Sequence, residues 1–259
     1  MTKPVAKPVA LVTGGASGIG RALVHRLAVD HRVVVVDKDE ATAKSVAADV
    51  DGVAVGLDLT EPTASTRAVE AAVTAYGRLD VVCLNAGRTT GENDVEKIDA
   101  DRYRAVVALN QDAVFFGVAA AVPALRDSGG GTILATASLG GLVGQAEDPV
   151  YSMTKHAVVG LVRSMPQLLA PYDIRIHAIC PGYVNTPLLS DVAQLFVDSD
   201  FPLLAPDDVA AAAMIALASE TSGDVWVVQP GREPLPYKFR GVPGPRVDGQ
   251  EGIAPPTIV

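Results

Sequence analysis

Cysteine is scarce in this sequence. The 259 residues include two cysteines, Cys83 and Cys180, and each lies in a continuous apolar run that predicts a buried strand. Two buried thiols in a chain of this length are more typical of a protein in a reducing cytosol than of a disulfide framework. We therefore expect a cytoplasmic protein.

Long apolar runs and clustered cations are also missing. The run 33–36 is too short to span a bilayer, and the N-terminus lacks the apolar stretch and cleavage site of a signal peptide. The sequence has 21 Lys and Arg against 30 Asp and Glu, a formal net charge of −9. Because phosphate binding needs clustered cations, this balance argues against nucleic acid and anionic membranes as partners.

The sequence has instead a regular alternation of strand and helix patterns. Strands are predicted at residues 9–13, 32–37, 52–58, 80–87, 131–138, 174–182 and 224–229, and helices at 18–30, 39–49, 61–77, 100–126, 149–170 and 206–219. Continuous apolar strands that alternate with helices are typical of a parallel sheet with helices on both faces. The length fits one α/β domain, which we assign to residues 1–233.

The remaining residues, 234–259, have a different composition. They are rich in Pro and Gly and show no periodicity, so they predict an extended tail rather than a second domain. Their composition favours disorder. The cluster YKFR at 237–240, however, combines aromatic rings with cations, and could dock on an acidic surface of the same or a neighbouring subunit. We expect docking for residues 230–246 and disorder near the end.

A glycine-rich loop follows the first strand and opens the first helix. Gly14, Gly18 and Gly20 occur in TGGASGIG, and glycine is needed where the backbone turns tightly or approaches a pyrophosphate closely. The helix N-terminus would then present free N–H groups to the phosphates. The loop predicts a dinucleotide site.

An acidic residue stands where such a site needs one. Asp37 ends the second strand, 17 residues after Gly20. A carboxylate there can accept hydrogen bonds from the adenosine ribose and would repel a 2′-phosphate, and Lys38 is the only nearby base, so NAD is favoured over NADP. The alternative is that Asp37 caps the following helix.

Further polar residues stand at the ends of later strands. Asp58 closes the third strand, and Asn85, Ala86 and Gly87 close the fourth. Ligands bind at the carboxyl ends of strands in open α/β sheets, although each of these residues taken alone is more typical of a turn.

A catalytic group is predicted around Tyr151 and Lys155. Their i, i+4 spacing on a predicted helix places both side chains on one face, and Ser138 lies 13 residues earlier at the end of the fifth strand. A nearby ammonium and a cationic nicotinamide are expected to lower the phenol pKa, while the Ser138 hydroxyl holds the substrate oxygen. The alternative is a surface Tyr–Lys pair.

Together these motifs resemble the short-chain dehydrogenase/reductase family over residues 8–230. The resemblance rests on the glycine loop, Asp37, Asp58, Asn85-Ala86-Gly87, Asn110, Ser138, Tyr151, Lys155, Pro181-Gly182 and Thr186. It implies a Rossmann fold with a doubly wound, seven-stranded parallel sheet in the order 3-2-1-4-5-6-7.

The resemblance also implies residue roles. Tyr151 would be the general acid/base, Lys155 would hold the nicotinamide ribose and lower the Tyr151 pKa, Ser138 would orient the substrate oxygen, and Asn110 would place a water in a proton relay. Hydride would pass between the carbinol carbon and the nicotinamide. The remaining predicted cofactor contacts are Gly14, Ser17, Gly18, Ile19, Gly20, Asp37, Lys38, Asp58, Leu59, Asn85, Ala86, Gly87, Pro181, Gly182, Val184 and Thr186, and no metal site is predicted.

A narrower resemblance, to the NAD-dependent 15-hydroxyprostaglandin dehydrogenase group, is carried by PVYSMTKHAVVGLVRS and IRIHAICPGYVNTPLL. Three residues differ from the usual pattern. Asp148 stands where the best-known members of that group carry Gln, His177 where the wider family usually has Asn, and Pro166 interrupts a helix that normally packs in the oligomer. The resemblance therefore supports the chemistry better than the substrate.

The sequence thus predicts an NAD-dependent secondary-alcohol dehydrogenase. A ketone reductase is the alternative within enzymes, and a non-catalytic NAD(H)-binding regulator is an alternative of another class. Residues 88–95, 139–148 and 183–201 are expected to line a pocket for a mid-sized apolar or aromatic substrate. Two helices that are apolar on more than one face predict a homo-oligomer, and the family resemblance implies a tetramer, with a dimer as the fallback.

Overall fold

The computed structural model describes residues 7–242 and 244. Its strands are β1 Val9–Thr13, β2 Arg32–Asp37, β3 Val53–Gly56, β4 Val81–Leu84, β5 Gly131–Thr136, β6 Ile174–Pro181, β7 Val225–Val228 and β8 Leu235–Pro236. Its α-helices are α1 Gly18–Leu27, α2 Glu40–Asp49, α3 Ala64–Tyr76, α4 Ala100–Val107, α5 Ala113–Asp127, α6 Pro149–Ser164, α7 Pro166–Leu169, α8 Ala193–Asp198 and α9 Pro206–Leu217.

The strands form one sheet in the order β3-β2-β1-β4-β5-β6-β7-β8. The first seven pair in parallel, so the predicted fold and strand order are confirmed. The sheet has eight strands rather than seven, because β8 pairs antiparallel with β7. A two-residue strand that contains Pro236 carries no alternating pattern, so the sequence gives no signal for it.

The segment after β7 returns to the sheet and to helix α6. The backbone N–H of Tyr237 donates to the carbonyl of Val225 at 2.7 Å, and the Arg163 guanidinium lies 3.8 Å from the centroid of the Phe239 ring. Residues 235–239 therefore dock on the same subunit, but through backbone pairing with β7 and a stack on an arginine rather than through the predicted acidic surface. Most of residues 243–246 and all of 247–259 lie outside the described residues, and the division of the chain at residue 233 stays a prediction.

Two apolar layers cover the sheet. Along β2 the side chains alternate between them: Val34 and Val36 face the cluster formed with α3, α5 and α6, while Val33 and Val35 face the cluster formed with α1, α2 and α9. All four valines are buried. Burial on both faces explains why the strand is a continuous apolar run rather than an alternating one.

The predicted helix over 100–126 is interrupted. A π-helical turn at Ala108–Asp112 separates α4 from α5, and such turns often occur at functional sites. Within the described residues, the stretch Ala100–Asp127 alone is long and apolar enough to cross a membrane by length and composition, criteria that a core helix also meets. Here Val114, Val118 and Leu125 are buried in the core.

The predicted helix over 149–170 is also divided. Helix α6 ends at Ser164, and the short α7 starts at Pro166. Proline lacks the backbone N–H that a continuous helix would use at this position. The loop predicted between β6 and α9 contains a 3₁₀ turn at Pro187–Val192 and helix α8.

Candidate active site

The glycine loop leaves β1 in a conformation that side chains would obstruct. Gly14 and Gly18 have φ angles of +63° and +50°, a region that L-residues with side chains rarely adopt. A Cβ at Gly20 would lie 2.0 Å from the carbonyl oxygen of Gly14. The tight turn therefore brings the start of α1 directly against the end of β1, as the sequence predicts.

The loop after β6 lies across from the glycine loop. A Cβ at Gly18 would lie 3.1 Å from Cγ2 of Thr186, and the Thr186 hydroxyl donates to the Val184 carbonyl at 3.3 Å. Two backbone interactions fix this loop. The N–H of Gly182 donates to the Val228 carbonyl at 3.0 Å, and Val184 forms a β-bridge with Leu204. The two predicted cofactor-contacting loops thus border one cleft.

Asp37 ends β2 beside the glycine loop. Its carboxylate accepts the backbone N–H of Ala16 at 3.1 Å through one oxygen and that of Asp39 at 3.1 Å through the other. The N-cap of α2 is Asp39, which accepts the N–H of Thr42 at 3.0 Å. The alternative that Asp37 serves as the helix cap is therefore wrong, and Asp37 instead ties β2 to the loop.

Asp58 and Leu59 follow β3 and differ in burial. Asp58 is exposed and accepts both the backbone N–H and the hydroxyl of Thr60, and these two hydrogen bonds lower the pKa of its carboxyl. Leu59 is buried in the core. Of the two predicted cofactor contacts, Asp58 therefore has the accessible side chain.

Asn85 connects three strands at the floor of the cleft. Its Nδ2 donates to the Thr13 carbonyl at 3.2 Å, and its Oδ1 accepts the Thr136 hydroxyl at 3.1 Å. The Thr13 hydroxyl accepts the backbone N–H groups of Asn85 and Ala86. Because its side chain is engaged in this way, Asn85 fixes the ends of β1, β4 and β5 relative to one another. No sequence motif singles out Thr13 or Thr136.

The three predicted catalytic side chains meet between β5 and α6. The Lys155 Nζ lies 5.5 Å from the centroid of the Tyr151 ring and donates to the Thr136 carbonyl at 2.8 Å. Ser138 lies close enough to the Tyr151 phenol to lower its pKa, and the Ser138 hydroxyl accepts the backbone N–H of Gly140 at 3.1 Å. Ser138 and Lys155 are both buried.

The pKa values of this group differ from what the sequence suggests. Burial raises the pKa of Tyr151 to about 12, although the hydrogen bond with Ser138 acts in the opposite direction. Burial also lowers the pKa of Lys155 to about 8. In the protein on its own, desolvation of the phenolate outweighs the other influences on this pKa. The expectation that Lys155 and a cationic nicotinamide together lower the phenol pKa stays a prediction for the cofactor-bound site.

Asn110 lies in the π-helical turn and is fully buried. Its side chain accepts the backbone N–H of Arg88 at 2.9 Å and donates to the Arg88 carbonyl at 2.8 Å. Its Nδ2 also donates to the Thr154 hydroxyl at 3.2 Å. The side chain thus joins the loop after β4 to helix α6, a connection that the sequence did not predict.

The three residues that depart from the family pattern have distinct surroundings. Asp148 caps α6 by accepting the N–H of Tyr151. His177 is fully buried in β6, and burial lowers its pKa. Pro166 begins α7.

A dinucleotide fits the groups at this cleft. The three glycines leave room for close approach of phosphates to the backbone, and the N-terminus of α1 has no capping bond from the Ser17 side chain within residues 7–242. The Asp37 carboxylate lies at the end of β2 beside the glycine loop, where it would accept hydrogen bonds from an adenosine ribose. Lys155 lies beside Gly87, since a Cβ at Gly87 would be 3.4 Å from the Lys155 Nζ. Lys155 and Tyr151 would there supply a cation and a proton acceptor to a reacting carbinol.

Comparison with known proteins places this arrangement in a family. A family model for short chain dehydrogenases matches residues 8–194. Cyclohexanol dehydrogenase from Acinetobacter sp. (strain SE19) is 34% identical over 234 residues, 85% of this chain and 92% of the relative. The 3-alpha-(or 20-beta)-hydroxysteroid dehydrogenase of Mycobacterium bovis (strain ATCC BAA-935 / AF2122/97) is 36% identical over 189 residues, 72% of each chain.

A solved structure is similar over almost the same range. It is that of 3-ketoacyl-(acyl-carrier-protein) reductase from Brucella melitensis complexed with NADH, with a TM-score of 0.82 and 32% identity, covering 88% of this chain and 98% of that one. The extent of these matches, together with the motifs and the strand order, establishes that the chain belongs to the short-chain dehydrogenase/reductase family.

Proposed function

We propose that this protein is an NAD-dependent oxidoreductase that interconverts a secondary alcohol and a ketone, with Tyr151 as the general acid/base. The observation that carries the proposal is the meeting of Ser138, Tyr151 and Lys155 at the cleft bordered by the glycine loop. The relatives are dehydrogenases of hydroxyl groups on carbon, in accord with this reaction class.

Each side chain has one task in the proposed mechanism. The nicotinamide, when bound, accepts or returns the hydride. The Ser138 hydroxyl donates a hydrogen bond to the substrate oxygen and so holds that oxygen beside Tyr151. In the oxidative direction Tyr151 takes the hydroxyl proton, and in the reductive direction it returns it. Lys155 would hold the nicotinamide ribose. With the cofactor bound, the Lys155 ammonium and the cationic nicotinamide would together favour the phenolate form of Tyr151. Asn110 keeps the loop after β4 against α6, and its place in a proton relay remains a prediction.

The preference for NAD rests on Asp37. Its carboxylate is fixed by two backbone N–H groups at the end of β2, where a 2′-phosphate would meet a negative charge. Lys38 is exposed and is the nearest cation along the chain. The other proposed contacts are the glycine loop, Asp58, residues 85–87, and Pro181, Gly182, Val184 and Thr186.

The proposed substrate is a mid-sized apolar alcohol or ketone. Tyr183, Phe196 and Phe201 form an aromatic cluster with ring centroids 4.7–5.8 Å apart, within the segment predicted to line the pocket. Two relatives are named for cyclic alcohols, cyclohexanol and a hydroxysteroid, which favours an alicyclic carbinol. The likeness to the 15-hydroxyprostaglandin dehydrogenase group adds lipid-like and aromatic alcohols to the candidates.

We propose a cytoplasmic homotetramer, with a dimer as the fallback. A groove of about 460 Å³ between α5 and α6 is lined by Phe115, Phe116 and Leu161, among others. Phe115 is 52% exposed and Phe116 47% exposed, so a second copy could cover this face around a two-fold axis. The break at Pro166 shortens α6 and limits the length of that contact.

The test is a panel of cyclic and acyclic secondary alcohols and ketones, with NADH absorbance as the readout. Turnover of at least one pair is expected, and Tyr151→Phe should lower kcat by about 100-fold or more while NAD affinity stays nearly unchanged. A variant that keeps more than about a tenth of the wild-type kcat would refute the role of Tyr151. Binding of NADH without turnover of any pair would favour the non-catalytic regulator.

A further inference from the structure

Asp148 is a buried carboxylate at the start of the helix that carries Tyr151. Its side chain is 7% exposed. One oxygen accepts the backbone N–H of Tyr151 at 2.9 Å, and the other accepts the backbone N–H of Thr90 at 2.6 Å. Ordinary N-capping requires only the first of these hydrogen bonds. The second reaches a different segment of the chain, 58 residues away.

That segment, residues 88–94, follows β4 and belongs to the predicted substrate-side lining. We call it the β4 loop. Asn110 holds its beginning through both backbone groups of Arg88. The Thr90 hydroxyl, in turn, donates to the carbonyl of Glu92 and accepts its N–H. The hydrogen bond from Thr90 to Asp148 therefore ties an internally braced loop to the first turn of α6.

The Asp148 carboxylate is also one of the groups close enough to the Tyr151 phenol to influence its pKa. The other two are Ser138 from the end of β5 and Cys180 from β6, and the Lys155 ammonium lies over the Tyr151 ring. Burial raises the pKa of Tyr151 most. The negative charge of Asp148 raises this pKa further, whereas the hydrogen bond with Ser138 lowers it.

We propose that Asp148 is a positioning residue for the reaction, which fixes the β4 loop against the first turn of α6 and so sets where the substrate meets Tyr151. The proposal rests on the role of Tyr151 proposed above. Because the side chain is buried and both of its oxygens already hold backbone N–H groups, Asp148 acts on the substrate through the β4 loop and the helix. Its charge also favours the protonated phenol, which a neutral residue at this position would not do.

Two substitutions separate these contributions from a general loss of stability. Asp148→Asn keeps an oxygen for the Tyr151 N–H but places an amide donor against the Thr90 N–H. Asp148→Ser keeps a good helix cap but has no second oxygen. Asp101→Asn is the matched control, because it removes a negative charge from an exposed residue of α4 outside the predicted pocket lining and leaves both hydrogen bonds of Asp148 in place.

The first measurement is hydrogen–deuterium exchange at the Thr90 amide. Exchange should accelerate roughly tenfold in both Asp148 variants, the effect of losing one hydrogen bond to a charged acceptor, and should be unchanged in Asp101→Asn. The second measurement is the pH profile of kcat/KM for alcohol oxidation. The midpoint of the rise of kcat/KM with pH, which reports the Tyr151 pKa, should move down by roughly half a pH unit in the Asp148 variants, because one nearby negative charge is removed. KM for the alcohol should rise.

Wild-type exchange at Thr90 in both Asp148 variants would overturn the proposal, as would accelerated exchange with an unchanged pH profile and KM. Tyr151→Phe is measured alongside. If that variant stays active, the role of Tyr151 fails, while the exchange measurement still decides whether Asp148 holds the β4 loop. If Tyr151→Phe is inactive and the Asp148 variants behave as wild type, the proposal for Asp148 alone is wrong.

Discussion

Lys155 offers the sharpest test of the electrostatics of this site. Its side chain is 3% exposed and its ammonium donates to the Thr136 carbonyl at 2.8 Å. Burial lowers the pKa of Lys155 from 10.5 to about 8. The folded protein therefore holds this proton less tightly than the unfolded chain, and Lys155→Met removes the difference.

The direction and size of the effect follow from this pKa. Below about pH 8 both states carry the proton, so the cost of burying the charge is fully present. Between pH 8 and 10.5 the unfolded chain binds more protons, so the contribution of Lys155 to the free energy of unfolding rises with pH. One pKa unit corresponds to about 1.4 kcal/mol, which gives roughly 2–3 kcal/mol between pH 7 and 10. Tyr151 has a raised pKa of about 12 and acts in the opposite direction, but only above its unfolded value of 10.

Urea unfolding at one protein concentration and at pH 7, 8, 9 and 10 measures this effect. The free energy of unfolding of the wild type minus that of Lys155→Met should increase by roughly 2–3 kcal/mol across this range. Lys44→Met is the matched control, because Lys44 is exposed, and the corresponding difference should be nearly flat. A flat difference for Lys155→Met as well would refute the reasoning, since it would mean that burial does not disfavour the ammonium.

Three further predictions concern the cofactor, the C-terminal segment and assembly. Asp37→Ala should weaken NAD about tenfold and improve NADP relative to the wild type, as measured by KM for both cofactors; an unmoved preference would contradict the role of Asp37. Phe239→Ala should lower the melting temperature by about 1–4 °C, since it removes the stack on Arg163, and a wild-type melting curve would show that this contact adds nothing. Light scattering at micromolar concentration should give the molar mass of a tetramer or dimer. The variant Phe116→Glu should have a lower molar mass, because it places a charge on the groove between α5 and α6; a monomeric wild type would exclude the proposed assembly.

The sequence predicts the parallel sheet because the strands themselves carry the signal. Strands such as β2 are buried on both faces and are therefore continuous apolar runs, which differ clearly from the helices between them. Helix interruptions are less visible. Pro166 predicts the break between α6 and α7. The segment ALNQD at 108–112, by contrast, has no residue that predicts a π-helical turn, because the extra residue is accommodated by contacts with distant segments.

The site is predicted only in part for a similar reason. Gly14, Gly18, Tyr151 and Lys155 have fixed spacings within one loop or one helix, and such spacings can be read directly. Thr13 and Thr136 act through hydrogen bonds to residues 19 to 72 positions away in the chain, which no local pattern records. The raised pKa of Tyr151 depends on burial, which arises only once the surrounding elements have packed.

The short strand β8 has a consequence for the behaviour of the protein in solution. An unpaired edge strand exposes backbone groups that can pair with other chains and nucleate aggregates. β7 reads VWVV, an uncharged segment of β-branched and aromatic residues that is typical of aggregation-prone strands. By pairing with Trp226 and Val227, β8 shields this edge with backbone that includes a proline. Protein cut after Gln229 should therefore form aggregates more readily than the full chain, at temperatures where both remain folded.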